Sequence, residues 1–321
     1  MAELLFYGLP RRLGGACTER FATSKILSEY HHIYYTPDSE TCADDEDIVN
    51  KTLEHSLIID KEERKEFILD RKPIVIGMCS GLFRRELMWL VDNDVTTIDV
   101  PCMCHAMHPI DIWYAHNIYP THTIFQSMYQ AAQFSEYEIP QISVVRGMYA
   151  GFQEDVQPQT GKMILKLCRD DPAKFTKDYW DQCQIIYDRT GYRTRVVGLN
   201  EEIMAYLGEA PDCVEPYMVR SLSLEEAFDG CSYLFGGFDV CKENYPQISF
   251  EALDHGCMPL WTEDSGGAIE QPFMGLIKDM DGLCDILNNY TPDIDYCIKN
   301  AETTIRNAEY HWLTIINELK G

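Results

Sequence analysis

The chain lacks any apolar run long enough to cross a bilayer as a helix, which excludes a helical membrane protein. It also lacks internal repeats and low-complexity tracts, which excludes solenoids and disordered arms. Basic residues are scarce: 27 Lys+Arg stand against 52 Asp+Glu, for a net charge of −25. The part ending at Ala150 carries −9 and the rest −16. Neither half therefore attracts polyanions through its overall field. The basic pairs Arg11-Arg12, Arg71-Lys72 and Arg84-Arg85 leave room only for a local groove. The opening residues are too short and too acidic for a secretory signal, so a cytoplasmic protein is expected. The 13 cysteines are odd in number and scattered. In a reducing compartment they read as free thiols, most of them small core residues.

What is present is length and an ordinary apolar fraction. The 321 residues suffice for two domains with real cores. Leu4–Gly8 reads as a strand, Gly14-Gly15 as a loop, Thr18–Tyr30 as a helix and His32–Thr36 as a second strand, which is a βαβ opening. Asp38–Asp47 is an acidic loop. Strands are expected at Glu54–Asp60, Pro73–Gly77, Val95–Val100 and Gln141–Val145, with helices at Phe83–Asp92 and Thr121–Phe134. The second half continues the alternation. Strands are expected at Lys162–Leu167, Arg195–Gly198 and Cys231–Phe235, with helices ending near Thr190 and covering Glu201–Leu207 and Glu225–Asp229. Tyr296–Leu319 reads as one helix or a helix pair. Such alternation points to an α/β protein with two doubly wound halves.

The most informative stretch runs from Glu243 to Glu270. Glu243 and Glu251 are separated by seven residues, and a short helix from Phe250 to His255 ends at Gly256. Cys257–Trp261 reads as a buried strand that delivers the Asp264-Ser-Gly-Gly267 loop. A strand feeding a Gly-Gly loop at a helix start offers backbone N–H groups to an anion, and a carboxylate at a helix head can grip a diol.

This run resembles the EX7E donor signature of retaining glycosyltransferases of the GT-B type, in particular the glycogen-synthase-like family called family 4. Glu243 and Glu251 match its two glutamates, and Gly256, Pro259 and Gly266-Gly267 match the glycines and proline that follow. The fold class implied is α/β of the GT-B type, two Rossmann-like doubly wound domains facing a cleft. The implied division is residues 1–155 for the acceptor, residues 156–300 for the nucleotide-sugar, and a helix at residues 301–321 crossing back to the first domain. No cofactor or metal is implied; the donor substrate is a UDP- or GDP-sugar.

The resemblance also implies roles. Arg169 and Lys174 match the family's arginine and lysine five residues apart, which neutralise the leaving diphosphate. Glu251 holds the ribose, and Glu243 orients the sugar as a catalytic group. Ser265, Gly266 and Gly267 lie against phosphate or sugar, and Gly14 and Gly15 face the same donor. Pro246 has no N–H, so backbone donation starts at Gln247. His105 is the expected catalytic histidine after a strand end, with His108 the alternative, placed otherwise toward the acceptor. Cys102, Cys104, His105 and His108 are soft ligands in a run too cramped for a structural zinc site, so no metal is expected. The acceptor stays open between a glycan or other soluble hydroxyl and, by similarity to phage DNA α-glucosyltransferases, a 5-hydroxymethylated base in DNA. In the phage case the host cytoplasm is the location, and Arg11 and Arg12 are the phosphate contacts. The sequence leaves the oligomeric state undefined.

Overall fold

A computed structural model describes residues 1–9, 15–37, 46–103 and 110–320. The chain divides into two compact units, residues 1–150 with 304–321, and residues 151–303. In the first unit the order is β1 (Glu3–Tyr7), α1 (Gly15–Leu27), β2 (His32–Thr36), α2 (Glu46–Leu53), β3 (Leu57–Ile58), α3 (Arg64–Arg71), β4 (Ile74–Met78) and α4 (Gly81–Asp92). It continues through β5 (Thr97–Val100), α5 (Ile110–Ala115), β6 (His122–Phe125), α6 (Met128–Gln133) and β7 (Ile142–Val144). The strands form one parallel sheet in the order β3-β2-β1-β4-β5-β6-β7.

Parallel strands need crossovers, and helices supply them on both faces, so the strands are apolar on both sides. Alternate residues of β1 show this. Leu4 and Phe6 join a core with Ile33, Ile76 and Ile98, while Leu5 and Tyr7 join another with Phe83, Leu87 and Leu90.

The second unit contains β8 (Met163–Leu167), α7 (Tyr179–Thr190), β9 (Arg193–Leu199), α8 (Glu201–Leu207), β10 (Val214–Met218), α9 (Leu224–Phe228) and β11 (Tyr233–Phe235). Then come α10 (Ile248–Asp254), β12 (Met258–Thr262), β13 (Gly275–Ile277), α11 (Met280–Asn289) and the start of α12 (Ile294–Leu319). Its sheet is parallel in the order β10-β9-β8-β11-β12-β13. Both sheets thus reverse their winding beside their first strand, the doubly wound pattern. Gly198 shows how close β9 comes to the end of β8. A Cβ there would fall 2.1 Å from the Cys168 carbonyl oxygen, and its φ is +122°.

The stretch expected as one helix over Thr121–Phe134 is instead β6 followed by α6. His122-Thr-Ile-Phe125 is fully buried between β5 and β7, and Ser127 starts the helix anew by accepting from the Gln130 N–H. The helix expected over Thr18–Tyr30 starts at Gly15 and ends at Leu27. The strand expected over Glu54–Asp60 is reduced to Leu57–Ile58, with α2 before it. Of the candidate site residues, the donor-side Gly14, the acceptor-side Arg11 and Arg12, and the histidines His105 and His108 lie outside the described residues, as does Cys104. No helix among the described residues is long and apolar enough to cross a membrane.

The helix α12 is continuous, and its last part belongs to the first unit. There Ala308, Trp312, Ile315 and Ile316 are buried against β1, β4 and β5 residues. Replacing Trp312 by Ala should therefore cost about 3–5 kcal/mol. Peptide-level hydrogen exchange should show faster opening of β1 and β4, with β8 and β9 unaffected. Unchanged protection of β1 and β4 would place Trp312 outside that core.

Candidate active site

In a doubly wound sheet, loops diverge where the winding reverses, and they leave a crevice at the carboxyl ends of the strands. In the second unit this point lies between β8 and β11. The candidate residues follow these two strands and the neighbouring β12.

After β8 the chain stays beside β9, since the Cys168 N–H donates to the Val197 carbonyl at 3.0 Å. It then folds into a tight turn. The Asp171 carboxylate accepts from the Ala173 N–H at 3.0 Å, and the Lys174 N–H donates to the Asp171 carbonyl at 2.9 Å. Asp171 is thus a cap of the single turn Pro172–Lys174 and does not neutralise Lys174. The lysine reaches the loop after β11 and forms an ion pair and hydrogen bond with the Glu243 carboxylate. The two loops are also joined by their backbones, with the Cys241 N–H donating to Ala173 O at 3.1 Å. Lys174 is 13 % exposed and Glu243 27 %. Burial opposes the charge on Lys174, but the attraction and hydrogen bond of Glu243 outweigh it, and the lysine's pKa is raised. Arg169 is exposed, and its side chain contacts no charged partner among the described residues.

Glu243 is fixed from its other side by the glycine loop. Its N–H donates to Ser265 O at 3.1 Å, and its carbonyl accepts from the Gly267 N–H at 2.8 Å, a parallel bridge centred on Gly266. The Ser265 hydroxyl accepts from the Thr262 N–H at 3.1 Å, so β12 holds the loop as well. Gly266 takes φ +70°, a conformation that favours glycine. The Ser265 N–H donates to Thr262 O at 3.0 Å and the Gly267 N–H is taken by Glu243, while that of Gly266 has no backbone acceptor among the described residues. Gly15 is the first residue of α1 in the other unit.

Glu251 lies in the first turn of α10 and is half-buried, and its carbonyl accepts from His255 Nδ1 at 2.8 Å. Gly256 follows at φ +72°. A Cβ there would meet the Gln157 carbonyl oxygen at 1.9 Å, so both the turn and the packing require glycine. Pro246 contributes its carbonyl, which accepts from Gln271 Nε2 at 2.9 Å.

Two residues at this place escaped the sequence reading. Gln247 is 3 % exposed, and neither atom of its side-chain amide has a hydrogen-bond partner among the described residues. A buried amide without a partner costs about 1–3 kcal/mol, and a ligand is one way to complete it. Lys166 is buried in β8. Its ammonium donates to Gly236 O and lies over the rings of Phe175 and Tyr179 at 4.7 and 4.6 Å. Burial holds its pKa below the usual lysine value. A lysine inside a strand and a glutamine before a helix carry no motif, so nothing in the sequence marked either one.

The basic pairs of the first unit do not form a phosphate-binding stripe among the described residues. Arg71 is paired with Glu3, Arg84 is buried, and a fourth pair, Arg64-Lys65, places Arg64 on Glu86 and Lys65 over the Trp89 ring.

No family model matches the sequence, and no curated protein matches it. Solved structures do match. Anabaena Alr3699/HepE in complex with UDP-glucose is similar at TM-score 0.65 and 12 % identity, with 100 % of this chain and 98 % of that one covered. AviGT4, a glycosyltransferase involved in avilamycin A biosynthesis, gives TM-score 0.63 and 14 % identity, covering 100 % and 99 %. S. aureus TarM, in complex with fondaparinux, alpha-GlcNAc-glycerol and UDP, gives 0.69 and 8 %, covering 100 % of each chain. At these identities the likeness is one of fold, and the fold is GT-B.

The ion pair leads to a measurable expectation. In Glu243→Gln the attraction is gone and burial is opposed only by Cys241, so the lysine pKa should fall from its raised position, read by NMR titration of the methylated amine. A raised lysine stabilises the fold fully below the unfolded value of ~10.4. That contribution is lost as pH rises through the still higher folded value. The variant should lack this alkaline loss and be less stable at neutral pH by about 1–3 kcal/mol, allowing for partial exposure. An unmoved lysine titration would remove the pair as the cause.

Proposed function

We propose that the protein is a glycosyltransferase that takes a sugar from a nucleotide-sugar and transfers it to an acceptor hydroxyl with retention of configuration. The observation that carries this reading is the Lys174–Glu243 pair pinned to the Gly266 bridge at the reversal point of the second sheet. The GT-B neighbours support it, since HepE is seen with UDP-glucose and TarM with UDP. A UDP-sugar is therefore the donor favoured over a GDP-sugar.

Each residue has a stated task. Lys174 and the exposed Arg169 neutralise the diphosphate as it leaves, joined by the Gly266 N–H. Lys174 does so only by exchanging or sharing its carboxylate partner, so donor binding is coupled to the position of Glu243. Glu243, released or reoriented, contacts the sugar hydroxyls. Glu251 takes the ribose diol as a two-oxygen acceptor, and Ser265 and Gly267 keep the loop in place. Gln247 completes its amide on the donor. His105, with His108 as alternative, serves the sugar in the role the family resemblance gives it. Because side chains and backbone carry the phosphate charge, the reaction needs no metal.

The acceptor proposed is a glycan or other soluble hydroxyl compound. No basic stripe among the described residues favours DNA, whose binding depends on phosphate neutralisation.

Thermal shift and calorimetry with UDP-glucose and GDP-sugars test the donor. Arg169→Ala and Lys174→Ala should each weaken donor binding about 10²-fold, on the order of 3 kcal/mol for a charge-assisted contact. Gln247→Leu should weaken it too, yet leave the free protein as stable or more so, because an unpartnered buried amide has been removed. Turnover should survive EDTA, and the product should keep the donor's anomeric configuration by NMR. Absence of binding to any sugar nucleotide would overturn the function, and transfer to hydroxymethylated DNA but to no soluble hydroxyl would overturn the acceptor.

A further inference from the structure

The first unit carries a second constellation, at the reversal point of its own sheet, that the donor reading does not use. There β1 and β4 part. Between them sits Arg20 of α1, buried, donating to the carbonyls of Gly8 at 2.9 Å, Leu9 at 3.1 Å and Met78. The residue that follows Met78 is Cys79.

The local sequence is Gly77-Met-Cys-Ser-Gly81, a strand–turn–helix passage with the cysteine at its sharp corner. Cys79 has φ +51°, a left-handed conformation rare for a side chain other than glycine, asparagine or aspartate. Gly77 is required by the helix packed on it, because a Cβ would fall 2.1 Å from the Phe83 ring. Ser80 caps α4 by accepting from the Phe83 N–H. This is the geometry with which nucleophile elbows hold a reactive side chain above a sheet.

The next strand brings a second sulfur. Met78 is opposite Val100 in the parallel register, and the Cys79 N–H donates to Val100 O at 3.0 Å. Cys102, two residues after Val100, donates its thiol to that same carbonyl at 3.6 Å, so the two cysteines meet over Val100 O. Both cysteines are partly exposed. Among the described residues, the charged and titratable groups facing the pair are Arg84 from α4, Arg20 and Glu19 from α1, and Asp99 from β5. The two arginines are buried and favour an anionic sulfur on Cys79, while Glu19 opposes ionisation of Cys102. Asp99 is buried and donated to by the Tyr114 hydroxyl at 3.0 Å, and its own pKa is pushed up to about 6, first by burial.

We propose that Cys79 and Cys102 form a redox-active dithiol, with Cys79 the attacking sulfur and Cys102 the resolving one, and a hydroperoxide as its oxidant. The Cys79 sulfur attacks the terminal peroxide oxygen. The O–O bond breaks, and water (or an alcohol from an organic hydroperoxide) leaves, giving a sulfenic acid. The Cys102 sulfur then attacks that sulfur, the S–O bond breaks, water leaves and the disulfide forms. Two electrons pass from the thiols to the peroxide, and the two thiol protons end on the two departing oxygens. A low-molecular-weight thiol reverses the step. This inference stands apart from the donor site and does not require it.

The test uses the full-length protein and needs no glycosyl transfer. With limiting hydrogen peroxide at neutral pH, peptide mapping without reduction should find the Cys79–Cys102 link ahead of oxidation at any other of the 13 cysteines. Iodoacetamide should alkylate Cys79 about tenfold or more faster than the remaining thiols. The rate should follow a titration whose midpoint lies below the ordinary thiol value, since Cys102 and then Arg84 and Arg20 lower the Cys79 pKa against burial. In Cys102→Ser the sulfenic acid should persist on Cys79 and be trapped by dimedone, with circular dichroism confirming the fold. If that variant fails to fold, mapping of the unmodified chain decides alone. Oxidation elsewhere first, over-oxidation of Cys79 without a link, or alkylation of Cys79 no faster than that of the other thiols would each overturn the proposal.

Discussion

The candidate site depends on one partly buried ion pair. Lys174 and Glu243 lie on loops from two strands, 69 residues apart in sequence, and Glu243 is also tied by its backbone to the glycine loop. A pair at this degree of burial gives back in attraction roughly what desolvation removes, so its worth to the fold is modest. Its consequence is organisational. Removing either partner leaves a charge in a place that water reaches poorly, and the two loops lose the contact that sets their spacing. Under the function proposed, an incoming dianion would offer Lys174 a second partner and free a carboxylate for sugar hydroxyls, so that binding and rearrangement would be one event.

The same topology operates twice with different chemistry. Each sheet reverses its winding beside its first strand, and each therefore leaves a gap at the carboxyl ends of two neighbouring strands. In the second unit the gap is flanked by a lysine, a glutamate and a glycine loop. In the first it is filled by Arg20, whose guanidinium is consumed by three carbonyls, and flanked by two sulfurs. The charge of that guanidinium, together with that of Arg84, acts on the adjacent thiol. The two crevices are alike in backbone and unlike in charge, which is the sense in which a fold carries sites without dictating them.

Legibility in the sequence followed the range of the interactions. Short local patterns declare themselves, and the strand His32–Thr36 and the helix Glu201–Leu207 were readable to the residue. The run from Thr121 to Phe134 was misread because its apolar residues suit a helix and a strand equally, and only burial between two neighbours decides. Among the candidate groups, Glu243, Lys174 and the glycines were legible through local spacing. Their mutual pairing was not, since it joins distant loops. The use of the Gly267 N–H by the Glu243 carbonyl was equally invisible, although both residues belong to the same motif.

Gln247 and Lys166 mark the limit of that reading and explain why it lies where it does. A polar side chain is assigned by pattern to solvent, yet both are buried, one without hydrogen bonds and one held by a carbonyl and two rings. Neither arrangement serves the fold well: an apolar side chain of similar volume would fill either position without desolvating a polar group. Burying such groups lowers stability at the point where Lys174, Glu243 and the glycine loop already converge. Under the function proposed, a nucleoside diphosphate, with several acceptors and a planar donor edge, would complete the Gln247 amide and engage the ordered loops, so that groups unfavourable to the fold would become favourable to binding.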